Sequence, residues 1–233
     1  MKINKLYVYG CSISSPYWMG ENDAYPYLIS KQLNCPYVRR SETAICHNET
    51  FDRFTNDLNL FEKDDLIIYQ FTAGDREGYK LKNDLYLTSA LLSADLNYFA
   101  HILNTYGKGR INYSVSDKQL ITLLDYIEQW GKHTYYYKYH RVINVLEFLK
   151  EKLGINYITL FLSDDFEKYN PKHCIKFPLS KNENNLSIQK WVYENKWTLN
   201  YSKPEEAGND QHPDEKGHYE IANKIISYIN DYK

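Results

Sequence analysis

The sequence lacks the marks of several large protein classes. Its 28 Lys and Arg stand against 30 Asp and Glu, leaving a formal charge of -2. That is not the basic surplus that neutralises phosphates, so nucleic acid is not an expected partner. No apolar run approaches the roughly 20 residues needed to cross a bilayer, and no membrane span is expected. The four cysteines, Cys11, Cys35, Cys46 and Cys174, include no CxxC pair. A chain of this length does not depend on disulfide staples, so they read as reduced thiols. Lys2 and Lys5 precede only Leu6 to Tyr9 before polar residues return, too short a stretch for the apolar section of a signal peptide. A cytoplasmic location is therefore the expectation. No repeat, low-complexity tract or Pro-, Gly- or Ser-rich linker divides the chain. With 43% hydrophobic residues over 233 positions, residues 1–233 suit a single domain around one sizeable core.

What the sequence does have is an alternation of short apolar runs and amphipathic segments. Leu6 to Tyr9, Tyr37 to Arg39, Asp65 to Thr72 and Ile155 to Leu162 read as strands. The run DLIIYQFT at 65–72 is nearly continuous in apolar residues, as a strand buried on both faces requires. Helices are expected over Asp23 to Leu33, capped by Asp23; over Asn48 to Phe61; over Leu85 to Asn104, Asp117 to Trp130 and His133 to Leu153; over Leu186 to Trp197; and over Pro213 to Tyr232. In the last, Pro213 suits the first turn, and Ile221, Ile225 and Ile229 are in register. This order predicts a three-layer α/β/α sandwich with a mainly parallel sheet, of flavodoxin-like type. Residues 80–154 exceed a simple crossover and read as a helical insertion, either a cap or an oligomer interface. The sequence is rich in Tyr, with 24, and many lie in or beside this insertion. Tyr136, Tyr139, Ile143 and Leu146 are expected on one helix face, packed as core rather than stacked on sugar.

In such folds the ligand sits beyond the carboxyl ends of the strands, which directs attention to the loops after Tyr9, Thr72 and Leu162. The first reads Gly10-Cys11-Ser12-Ile13-Ser14. Gly10 permits a sharp turn, leaving the Ser12 hydroxyl and N–H at the strand end. It is not a phosphate-cradling loop, since no GxxxxGK[ST] is present. Near the other end is Asn209-Asp210-Gln211-His212-Pro213. His212 falls where loop meets helix, with Asp210 placed to orient its ring and stabilise its charge. His218 belongs on another helix face, and without further ligands the pair does not suggest zinc. Cys11 is a rival nucleophile to Ser12, but the sequence displays no thiolate-stabilising setting.

Taken together, Gly-x-Ser after the first strand and Asp-x-His-Pro before a closing amphipathic helix resemble the SGNH hydrolases, the GDSL-like esterase superfamily. The resemblance implies that Ser12 is the nucleophile and His212 the general base. The supporting acid commonly lies three residues before the histidine, which here is Asn209; Asp210, two before, is assigned because Asn209 supplies no charge. The middle blocks depart from the family pattern. The loop 41–48 has no glycine for the oxyanion hole, so a backbone N–H near Ile45 or Cys46 would take its place beside that of Ser12. Thr72 stands for the usual asparagine. Asn48 and Gln70 are alternatives, and both are candidates for binding substrate. Arg76 could bind a carboxylate or phosphate on the substrate, or pair with Asp75 or Glu77.

The implied activity is hydrolysis of a small acyl ester, such as an O-acetyl group on a carbohydrate, with no metal or organic cofactor required. The partner is then a small-molecule or glycan ester, with a homo-oligomer formed through the insertion as a further expectation. Two alternatives stand beside it: an acyltransferase to a sugar using the same triad, and an inactive carbohydrate-binding or assembly protein of the same fold.

Overall fold

The computed structural model describes residues 2–16, 20–42, 45–72, 78–80, 86–88, 136–163, 172–179, 185–208 and 210–231. Four parallel strands form the sheet: β1 (Leu6–Tyr9), β2 (Tyr37–Arg39), β3 (Leu66–Phe71) and a strand over Asn156–Phe161. Their spatial order is β2, β1, β3, then Asn156–Phe161. The register is tight, with Leu6 beside Leu66 and Leu66 beside Asn156. Every residue of β1 and β3 is buried, the pattern of strands covered on both faces. A separate antiparallel pair, β4 (Gly78–Lys80) and β5 (Tyr86–Thr88), follows β3 in the chain. The last strand of the main sheet is therefore β6. Because β2 and β3 flank β1 on opposite sides, chain direction across the sheet reverses at β1. That reversal opens a crevice at its carboxyl end.

Side chains alternate strictly between the two faces. On one, Leu6, Val8, Leu66, Ile68, Ile158 and Leu160 pack with helix α1 (Tyr25–Leu33), helix α4 (Ile188–Glu194) and the closing helix α7 (Glu215–Asp231). On the other, Tyr7, Tyr9, Ile67, Tyr69, Phe71, Tyr157 and Phe161 pack with α2 (His47–Asn56) and with helix α3 over 136–153. Two four-residue helices, α5 (Leu199–Ser202) and α6 (Pro204–Ala207), precede α7. The second face uses tyrosine as a core residue, and the phenols of Tyr7 and Tyr9 find partners at its margin. Tyr7 donates to the Leu60 carbonyl at 3.1 Å, and Tyr9 to Asp57 at 2.8 Å. Asp57 is held in turn by Arg40 at 2.8 Å. Each such ring contributes roughly 1.5–3 kcal/mol by burial.

Several elements differ from the sequence expectation. Residues 86–88 are strand, not the start of a helix; Tyr, Leu and Thr at these positions suit that state. The rest of the expected helices Leu85 to Asn104 and Asp117 to Trp130 lies outside the described residues. In α3 the buried face is Tyr139, Val142, Ile143, Leu146 and Leu149, whereas Tyr136 is 53% exposed. It sits one turn before the helix meets the sheet. The expected helix 48–61 stops at Asn56, and Asp57 turns the chain. Its carboxylate is committed to Tyr9 and Arg40, so the backbone there follows the side chain into the core.

Asp23 does not cap α1. It closes a separate turn, Glu21–Asp23, and Ala24 enters the helix without a side-chain cap bond. The first amide of α1, on Tyr25, is instead satisfied by His218 from α7, whose Nδ1 accepts it at 3.2 Å. Nor does Pro213 lie in the first turn of α7. It pairs with Thr198 in a bridge, and the Asp214 carboxylate caps the helix by accepting the Gly217 N–H at 2.8 Å. Ile221, Ile225 and Ile229 are all buried, in register as read from the sequence. None of the described helices is long and apolar enough to cross a membrane.

Candidate active site

β1 delivers the chain to Gly10. A Cβ there would lie 2.6 Å from Gln70 Oε1 and 2.8 Å from Ser14 Oγ. The glycine is thus required for close approach of the loop to β3 rather than for an unusual backbone angle. Residues Ser12–Ser14 then form a single tight turn, with Ser14 N–H donating to Cys11 C=O at 2.9 Å and Ser15 N–H to Ser12 C=O at 3.1 Å. The turn is anchored from below. Gln70 Nε2 donates to Cys11 Sγ at 3.3 Å, Ser14 Oγ donates to Gln70 Oε1, and Ser41 Oγ donates to the Ser14 carbonyl at 2.6 Å. Cys11 is fully buried and its sulfur faces Gln70, while the Ser12 hydroxyl faces His212.

The second half of the site is the segment 210–214, between α6 and α7. A stretch running antiparallel to it holds it in place. Leu199 N–H donates to the His212 carbonyl and Asn200 N–H to that of Asp210, both at 2.9 Å, and Asp214 N–H donates to the Trp197 carbonyl at 3.1 Å. Gly217 permits this clamp, since a Cβ on it would sit 2.4 Å from the Trp197 carbonyl oxygen.

The two halves meet. His212 Nε2 lies 2.7 Å from Ser12 Oγ, across 200 residues of chain. His212 Nδ1 lies 2.5 Å from Asp210 Oδ1, which also accepts the His212 backbone N–H at 2.8 Å. A carboxylate can only accept, so Nδ1 carries the proton of the neutral ring and Nε2 is left as acceptor for the Ser12 O–H. The carboxylate reaches the ring from two residues away because the same oxygen closes a turn on the intervening backbone. Ser12 is 3% exposed, and the His212 and Asp210 side chains are 26% and 16% exposed. The hydroxyl is shielded while the imidazole meets the opening.

A cavity of about 260 Å³ opens over this line, bounded by Ser12, Ile13, Leu162, Gln189, Asp210, Gln211 and His212. Ile13 and Leu162 make it apolar on one side. On the other, Gln189 Nε2 donates to Gln211 Oε1 at 3.4 Å. Nothing in the sequence singled out Gln189, whose position at the start of α4 depends on the Ser187 cap. Ser187 Oγ accepts from Lys190 N–H at 3.0 Å and donates to the Leu162 carbonyl at 2.7 Å, tying α4 to the end of β6.

The other residues read from the sequence lie elsewhere. Ile45 is buried among Leu6, Val8 and Leu66 just before α2. Thr72 is fully buried at the end of β3, and Gln70 is fully buried beneath the Ser12 turn. Asn48 accepts from Arg141 at 3.2 Å. None of these four bounds the cavity. Arg76 and Asn209 lie outside the described residues. His218 is 1% exposed; burial first, and the nearby His212 second, push its pKa down to about 3. It is a neutral acceptor. Among the described residues no three His, Cys, Asp or Glu side chains converge as they would on a metal ion.

No protein-family model matches the sequence, and no curated protein matches it. Solved structures do align along nearly its whole length. A catalytic mutant of the acetylxylan esterase Axe2 from Geobacillus stearothermophilus is 14% identical with a TM-score of 0.43, covering 98% of this chain and 96% of the other. The psychrotrophic esterase EstA from Pseudoalteromonas sp. is 10% identical with a TM-score of 0.40, covering 98% of each chain. A member of the lipolytic protein G-D-S-L family from Veillonella parvula is 9% identical with a TM-score of 0.37, covering 96% of each.

Proposed function

We propose that the protein is a serine hydrolase of small acyl esters, with Ser12 as nucleophile, His212 as general base and acid, and Asp210 as the group that orients His212. The observation that carries this is the hydrogen-bonded line from Ser12 Oγ through His212 to Asp210, at 2.7 and 2.5 Å, at the edge of a cavity. His212 Nε2 takes the Ser12 proton as Oγ bonds to the ester carbonyl carbon. The imidazolium, stabilised by Asp210, returns that proton to the departing alkoxide. Water, deprotonated by His212, then attacks the acyl-serine; the acid leaves and Ser12 regains its proton. The Ser12 N–H would hold the oxyanion.

The cavity volume of about 260 Å³ lies below the usual range for drug-sized ligands and suits a small ester. The carboxamides of Gln189 and Gln211 suit an alcohol portion bearing hydroxyls, as a sugar does. The test is hydrolysis of p-nitrophenyl acetate, butyrate and octanoate by wild type and Ser12→Ala. The expected order is acetate before butyrate before octanoate. Ser12→Ala should lose about 10³-fold or more, and a variant that kept its rate would overturn the serine mechanism.

A further inference from the structure

We infer that Tyr25 is a positioning residue that fastens the Ser12 turn to the segment carrying His212 and so sets the distance between nucleophile and base. This rests on the serine-hydrolase reading above. Ser12 and His212 arrive from opposite ends of the chain, on a three-residue turn and a short loop. Their alignment needs a connection other than their own hydrogen bond.

Tyr25 makes that connection at both of its ends. Its hydroxyl lies 2.6 Å from Ser14 Oγ, two residues beyond Ser12. Ser14 has a single hydroxyl proton, and Gln70 Oε1, which can only accept, takes it. The Tyr25 phenol must therefore be the donor to Ser14. Burial raises the phenol pKa, which keeps its proton in place for this bond. At the other end the Tyr25 backbone N–H donates to His218 Nδ1 at 3.2 Å, and the two rings stack with centroids 6.1 Å apart. The His218 N–H donates to the Asp214 carbonyl at 2.9 Å, in the cap that ends the His212 segment. The path therefore runs from Ser12 through Ser14, Tyr25 and His218 to Asp214 and back to His212.

Tyr25→Phe removes only the hydroxyl. The ring stack and the backbone bond to His218 remain, so the fold is expected to persist. Ser14 loses its donor, and the turn gains freedom at the point where misplacement by about 1 Å costs on the order of 100-fold in rate. The experiment measures p-nitrophenyl acetate kinetics and the rate of Ser12 phosphonylation by an alkyl fluorophosphonate. The proteins compared are wild type, Tyr25→Phe, Ser14→Ala, the double variant and Ser12→Ala. The expected result is a fall of about tenfold in kcat for Tyr25→Phe with KM unchanged, a parallel fall in phosphonylation rate, and a nearly unchanged melting temperature. The double variant should be no slower than Ser14→Ala, because both changes cut one path.

Wild-type kcat in Tyr25→Phe, beside an inactive Ser12→Ala, would overturn the inference and leave the serine reading intact. Losses that add in the double variant, or that follow a lowered melting temperature, would overturn it too. If wild type is neither active nor phosphonylated, the serine reading fails and the inference with it.

Discussion

Asp210 Oδ1 accepts from the His212 backbone and ring at once, and this double use explains how a carboxylate two residues from a histidine can serve it. The turn it closes prepays the ordering of both groups. Asp210→Asn should therefore keep the turn but lose the charge and the fixed tautomer. The expected outcome is a fall of about 10²- to 10⁴-fold in kcat with KM little changed, checked by steady-state kinetics on p-nitrophenyl acetate. Gly10 carries a different constraint. A methyl there would overlap Gln70 and Ser14, so Gly10→Ala should cost about 1–3 kcal/mol by overpacking. It should also slow the reaction, since the same contacts hold the Ser12 turn. Urea unfolding and kcat measured on one preparation would check both effects. From the sequence, Gly10, Ser12, His212 and Asp210 were legible because they cluster in two short stretches. Ser14, Tyr25 and Gln189 were not, since single buried or helix-borne polar residues leave no local pattern.

Among the elements, the junction of α1 and α7 does more than bury apolar surface. His218 supplies the cap that α1 lacks in its own sequence, which is why Asp23 was a reasonable but incorrect expectation. The cap must be neutral to accept. The ordinary His value is 6.5, and burial lowers it to about 3 in the folded chain. Between those values the unfolded chain binds a proton that the native chain does not. The stabilising contribution is present in full above pH 6.5 and is lost as pH falls toward 3. The melting temperature of wild type should thus drop between pH 7 and pH 5, whereas His218→Asn, whose carbonyl can still accept from Tyr25, should drop less. Equal slopes would contradict this. At the start of the same helix, Gly217→Ala would push on the Trp197 carbonyl and displace the clamp on residues 210–214. Activity should fall by a larger factor than the folded fraction, as circular dichroism and kinetics together would show.

At the scale of the molecule, the sheet order and the closing helix bring residue 12 to residue 212. The order β2, β1, β3, β6 places the Ser12 turn at the reversal point. α7 contributes Ile221, Ala222, Ile225 and Ile229 to the same core as β1. Strand and helix order were readable because continuous apolar runs and four-residue periodicity are local signals. Burial of Tyr7, Tyr9 and Tyr69 followed from the same runs, whereas the partners of two of them were not readable, because Leu60 and Asp57 meet Tyr7 and Tyr9 from 53 and 48 positions along the chain. If this core is one cooperative unit, urea should abolish esterase activity and far-ultraviolet ellipticity at the same midpoint. The most direct measurement of the central claim is peptide mapping by mass spectrometry after treatment with an alkyl fluorophosphonate. The account predicts one phosphonyl adduct, on Ser12, in wild type and a strongly slowed reaction in His212→Ala. An unmodified wild type, or an adduct on any residue but Ser12, would contradict it.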